Sequence, residues 1–149
     1  MIPEKTIVND FLVLFPEFIE HPHIKGDDYS DTPYVFFGVI RSILEEGINE
    51  NPESSTKILK WLDATLNNSA ISAYLDDMLW IEFFEGSEVN DKYRTALLSN
   101  LSNQANLKYR QYLYIMEQGG FTDPKTGEIF KHVKGGPLAR TGKYVSDIK

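Results

Sequence analysis

The 149-residue chain has no cysteine. Disulfides, thiolate-bound zinc and thiol redox chemistry are therefore excluded, and the fold owes nothing to an oxidising compartment. Long apolar runs are missing as well. No stretch reaches the roughly 18 residues of a membrane span. The N-terminal MIPEKTIVNDFLVLF has acids where a signal peptide needs positive charge. The expectation is a cytoplasmic chain with no membrane partner. Basic residues are scarce in one part only. From Met1 to Asp91 there are 18 Asp/Glu against 5 Lys/Arg, a net of −13, whereas Lys92 to Lys149 hold 4 against 10, a net of +6.

What is present is apolar and aromatic. Hydrophobic residues make up 42% and aromatics 13%, too much of both for a disordered acidic segment. The length fits one domain with a real core. Apolar residues at three- and four-residue spacings predict a first helix over Glu4–Glu20, with Ile7, Phe11, Leu14, Phe15 and Phe18 on its inner side and a kink, or a break into a second short turn, at Pro16. A second helix is capped by Asp31 or Thr32, has Pro33 at its first position, and carries Phe36, Val39, Ile40, Ile43 and Leu44 as far as Gly47 or Asn51. A third covers Pro52–Asn67, with Ile58, Leu59, Leu62 and Leu66 inward.

The fourth helix, AISAYLDDMLWIEFFEG, is capped by Asn68 or Ser69 and stopped by Gly86. Its stripe is Ile71, Tyr74, Leu75, Met78 and Leu79, and it is apolar nearly all round by Phe84. That pattern places it at the centre of the domain. A fifth segment, Asp91–Gln118, breaks near Asn100–Asn103, and its second half presents Leu107, Tyr112, Leu113 and Met116. After Gly119 the composition changes, and GGFTDPKTGEIF reads as a small β-hairpin followed by a basic extended tail. The fold expected is an all-α antiparallel bundle of five to six helices over 1–118, with hairpin and tail over 119–149, in a single domain.

Candidate chemistry is sparse. GGPLARTGKY has five residues between Gly136 and Gly142 and a tyrosine at the hydroxyl position, whereas a phosphate-binding loop needs four and a Ser or Thr. His21, His23, Asp27 and Asp28 match no zinc spacing, and Asp27–Asp31 lacks the glycine and distal glutamate of a calcium loop. Neither a metal nor a cofactor is expected, and no nucleophile–base set can be assembled. YRQYLYIM, around Tyr109, Tyr112 and Tyr114, could stack bases; as a core helix stripe it needs no nucleic acid, and none is expected. Its Lys108 and Arg110 are then expected to pair with the acidic front.

The acidic residues carry the functional expectation. Asp76, Asp77, Glu82, Glu85 and Glu88 crowd the fourth helix and its end, and Asp27, Asp28 and Asp31 fill the loop before the second. A plain solvated surface mixes both signs. A one-sided one suits a basic partner, and these eight carboxylates are the candidate contacts, with Tyr74 and Trp80 as candidate anchors. Glu45, Glu46, Glu50 and Glu53 form a further acidic run between the second and third helices.

FLVLFPEF, PYVFFGVI and LWIEFFE resemble the helix patterns of small acidic immunity proteins from bacterial toxin–immunity loci, over residues 7 to 118. The resemblance implies a non-enzymatic immunity protein that neutralises a cognate toxin, often a nuclease. An acidic face would be steered quickly onto a site built to hold phosphate. Two other classes remain open: an adaptor or nucleic-acid-mimicking inhibitor, and an enzyme whose site assembles only in three dimensions.

Overall fold

In the computed structural model, residues 2–117 are described, with the main chain alone for Glu117. Six α-helices follow one another: α1 (Ile7–Leu14), α2 (Pro33–Gly47), α3 (Pro52–Leu66), α4 (Ala73–Phe84), α5 (Asp91–Asn100) and α6 (Asn103–Glu117). Short 3₁₀ turns sit at Pro16–Glu20 and Ser87–Val89. The described residues contain no strand, and the fold is all-α. The hairpin, the basic tail and the glycine-rich GGPLARTGKY lie outside the described residues.

Local chemistry explains most boundaries. Phe15, kept out of the helical region by the proline after it, ends α1, and Pro16 opens the 3₁₀ turn. Pro33 and Pro52 each begin a helix at a position where the N–H has no intrahelical partner. Thr32 precedes α2 without a side-chain cap, whereas the Asn51 side chain accepts from Ser54 N at 3.4 Å. The fourth helix starts later than its sequence suggests. Asn68 closes a local turn by accepting from Ala70 N at 2.8 Å, and Ser72 is the cap, accepting from Leu75 N at 3.2 Å. Gly86, at φ 77°, takes the left-handed conformation that ends this run.

Two aromatic clusters make the core. In the first, Phe11 touches Phe15, Phe18, Phe36, Phe37 and Trp61, and Phe37 stacks on Trp61 at 5.5 Å. In the second, Trp80 lies on Phe84 and Phe84 on Tyr109. From α4, Phe83 also meets the first cluster, its ring 5.8 Å from that of Phe37. Helix α2 packs against α1, α3, α4 and α5. Helix α4 is among the most enclosed, with Leu75, Met78, Leu79, Trp80, Phe83 and Phe84 all buried.

Three register expectations fail. Tyr74, expected on the inner stripe of the fourth helix, is 50% exposed, because the helix turns Leu75, Met78 and Leu79 inward instead. Leu14 is 60% exposed because α1 stops there and Phe15 takes its place in the core. Leu107 is 38% exposed, and α6 instead buries Ala105, Tyr109, Tyr112 and Ile115. Its stripe is built on tyrosines and a small alanine.

Candidate functional site

Among the described residues, the connection from α4 to α5 gathers hydrogen bonds from side chains of three helices, α2, α5 and α6. Tyr93 donates to Phe83 O at 2.8 Å, Tyr109 and Ser87 share a buried hydroxyl pair at 2.7 Å, and Tyr112 links Gly86 N to Glu88 Oε2 at 3.1 and 2.6 Å. Arg41 reaches from α2 to the main-chain carbonyls of Glu82 and Glu85, bonds Glu45 at 2.7 Å, and lies over the Tyr93 ring. Arg94 holds Glu88 O. The orphan carbonyls at the end of α4 are thus satisfied by side chains from elsewhere in the fold. Burial raises all three tyrosines, Tyr109 to about 12. They remain neutral donors and do no acid–base chemistry near neutral pH.

The predicted carboxylates divide by helix face. Asp76 points inward, where its side chain is 13% exposed and pairs with Lys108 of α6 at 3.6 Å. Burial raises its pKa against the pull of Lys108. Beside it, Trp80 is core, and its buried indole N–H, close to the Asp76 carboxylate, joins Lys108 in opposing the rise. Glu88 accepts from Tyr112. These two acids belong to the scaffold, and Trp80 cannot anchor a partner.

Asp77, Glu82 and Glu85 face the other way. No Lys or Arg nitrogen of the described residues lies within 4.0 Å of their carboxylates. Partial burial raises Asp77, with Lys108 opposing at longer range. It raises Glu82 too, helped by the charge of Glu85 and opposed by Arg41. Between them stand Tyr74, 50% exposed, and Ile81, 39% exposed. Ile81 escaped the sequence reading, although its spacing of seven from Tyr74 puts both on one stripe.

Asp27, Asp28 and Asp31 are exposed in the loop before α2. Asp28 accepts from the hydroxyl and N–H of Ser30 at 2.7 and 3.0 Å, which lowers its pKa. The Tyr29 hydroxyl donates to His23 O at 3.0 Å and lies 3.4 Å from Asp27. No hydrogen bond or ion pair among the described residues joins this loop to α4. His23 N donates to the Nδ1 of His21. Among the described residues no group of three His, Cys, Asp or Glu side chains is arranged to hold a metal ion.

The basic-aromatic stretch of α6 is mostly interior: Tyr109 and Tyr112 are buried, Lys108 meets Asp76, and Arg110 bonds Asn106 within its own helix at 2.8 Å. A hollow of about 230 Å³ between α1 and α3, bordered by Ile7, Asp10, Trp61 and Thr65, contains one carboxylate. It lacks the paired groups that acid–base catalysis requires. No helix among the described residues is long and apolar enough to cross a membrane. No family model, curated protein or solved structure matches the chain.

Proposed function

We propose that the chain is an immunity-type protein, which binds a basic cognate toxin, a nuclease in the first instance, through the outward side of α4. The observation that carries this reading is the unmatched charge there. Asp77, Glu82 and Glu85 have no cation within 4.0 Å among the described residues, while Lys108 pairs with Asp76 and Arg41 holds main-chain carbonyls and Glu45. Residues 2–117 as a whole hold 19 acids against 9 bases. A carboxylate surface of this kind raises the association rate with a basic partner and repels nucleic acid. The toxin's own phosphate-holding cations are then the groups it covers.

The test is expression of the neighbouring upstream gene alone and together with this chain. Toxicity of the neighbour alone, relieved by co-expression and accompanied by a stoichiometric complex of the two purified proteins, is the expected result. A harmless neighbour, or toxicity that co-expression leaves untouched, overturns the reading. Charge reversal at Asp77 and Glu82 should slow association steeply at low salt and far less above about 0.5 M, where screening is short-ranged.

A further inference from the structure

The carboxylates of α4 do not stand alone. Going round the helix at 100° per residue, Tyr74 and Ile81 lie one above the other, two turns apart, with Asp77 on one flank and Glu82 on the other. Leu75, Leu79 and Phe83 occupy the opposite side, in the core. Glu82 leans across α2 at a position without a side chain: a Cβ on Gly38 would sit 3.0 Å from its Oε2. One turn to either side of Gly38, Val35 and Ser42 are exposed. The glycine therefore makes room for the Glu82 carboxylate against α2.

Single exposed apolar residues need no explanation. Here two share a stripe, and a carboxylate stands on either side of it. We infer that this strip is the docking surface for a basic amphipathic segment of a partner protein. An apolar side chain of the segment lies between Tyr74 and Ile81, and lysines or arginines on either side of it reach Asp77 and Glu82. The inference rests on the proposed function for the partner's basic character and adds which face is used and what shape of segment it takes. Charge complementarity selects the occupant. Nucleic acid and acidic peptides are repelled, as is a second copy of this acidic unit, whereas a helix with cations at i−4 and i+4 around one leucine presents both chemistries together. The aromatic and aliphatic centre supplies affinity and the rim carboxylates supply rate.

The full chain is titrated with a synthetic helical peptide carrying one leucine flanked by lysines, and the Ile81 methyl and Tyr74 ring signals are followed by NMR. Both should shift saturably. Replacing the peptide's leucine by serine should weaken binding about tenfold or more, the factor expected from losing one buried aliphatic contact. Ile81→Asp and the milder Ile81→Ser should each weaken it in the same way, and Val89→Asp, a control at an exposed site off the strip, should not. Equal shifts with the serine peptide, or with polylysine, would reduce the strip to a plain charged surface. Signals that move in the peptide-free chain on joint Lys131→Glu and Lys134→Glu substitution would assign the strip to the chain's own basic region and overturn the partner assignment. Neutralisation by the wild-type chain that survives Ile81→Asp and Tyr74→Ser would leave the proposed function standing and remove this surface from it. Absence of neutralisation by the wild-type chain would overturn the proposed function while the peptide titration still decides the chemistry of the strip.

Discussion

Asp76 and Asp77 are adjacent in the sequence, yet the two sides of α4 treat them differently. Inward, Asp76 pairs with Lys108, on a side of the helix where Trp80 lies against Phe84 and where Tyr93, Tyr109, Tyr112 and Arg41 satisfy the turn that follows. Outward, Asp77 and Glu82 flank exposed apolar residues and meet no cation within 4.0 Å among the described residues. The inner side has its electrostatics completed by the fold. The outer side leaves them to be completed by something else. A charge count cannot separate these cases, because the decisive quantity is the direction in which each carboxylate points.

The strongest challenge to this contrast comes from truncating one residue on each side. Leu79→Ala, at a fully buried position, should cost about 2–5 kcal/mol of unfolding free energy by the cavity argument. Ile81→Ala, two residues along the same helix, should change stability by less than about 0.5 kcal/mol. Denaturant unfolding of both variants measures this. Equal costs would mean that the outer strip is part of the core and that the assignment of sides is wrong.

A smaller effect belongs to the tyrosines of the inner side. Tyr109→Phe leaves the Ser87 hydroxyl buried without its partner and should cost about 1–3 kcal/mol. It should also alter the alkaline limb of stability. Tyrosines in the unfolded chain ionise near 10, while burial holds Tyr109 at about 12 and raises Tyr93 and Tyr112 as well. Between those values the folded state keeps protons that the unfolded state releases, so their contribution is complete below pH 10 and is lost as pH rises towards 12. The wild type should lose stability steeply over this window, and Tyr109→Phe should lose it less steeply. A parallel decline in both proteins would place the alkaline sensitivity elsewhere.

The helices themselves were legible because a two-faced surface helix writes its burial into the spacing of its apolar residues. Phe36, Ile40 and Leu44, or Ile58, Leu59 and Leu62, mark their own inner faces. Legibility falls where burial is shared by other means. In α6 the buried stripe is Ala105, Tyr109, Tyr112 and Ile115. Tyrosines serve the interior as well as the surface, so Leu107 is expected in the core and Tyr109 is not among the residues marked for it. The α5–α6 junction was visible as a break, but what holds it was not. Ser102 donates its N–H and hydroxyl to the two oxygens of Asp63, 39 residues earlier, at 2.8 and 2.7 Å, and Ala105 N donates to Asn67. A helix start capped from a distant helix has no local signature. The candidate site suffered in the same way. Trp80 and Tyr74 are equally plausible anchors on paper, and only the rotation of α4 puts one inside and the other out.

Asp63 gives the next smaller effect. Removing its carboxylate frees two donors at the start of α6, and Asp63→Ala should cost about 0.5–2 kcal/mol, the range for a lost helix cap. Asp63→Asn, which keeps one acceptor, should recover part of the loss. Thermal unfolding of the two variants against wild type decides it, and identical losses would show that the junction depends on the charge of Asp63 rather than on its acceptors.

The smallest effect on stability, and the sharpest test of the contrast, is expected from Asp77→Asn combined with Glu82→Gln. Both carboxylates have pKa values raised above the ordinary 3.8 and 4.5, mainly by partial burial. A raised folded pKa means that the folded state holds its proton more tightly than the unfolded state. The associated stability is complete below the ordinary value and disappears as pH rises through the raised one. At neutral pH the ionised pair therefore weighs slightly against folding, and the neutral variant should match or exceed wild-type stability by no more than about 0.5 kcal/mol. The difference should shrink as pH falls into the ordinary carboxylate range. A loss above about 1 kcal/mol at pH 7 would place these groups among the supports of the fold and erase the distinction between the two sides of α4. The same variant should associate more slowly with a basic partner at low salt. Stability unchanged and association slowed is the combination that a completed inner side and an incomplete outer side require.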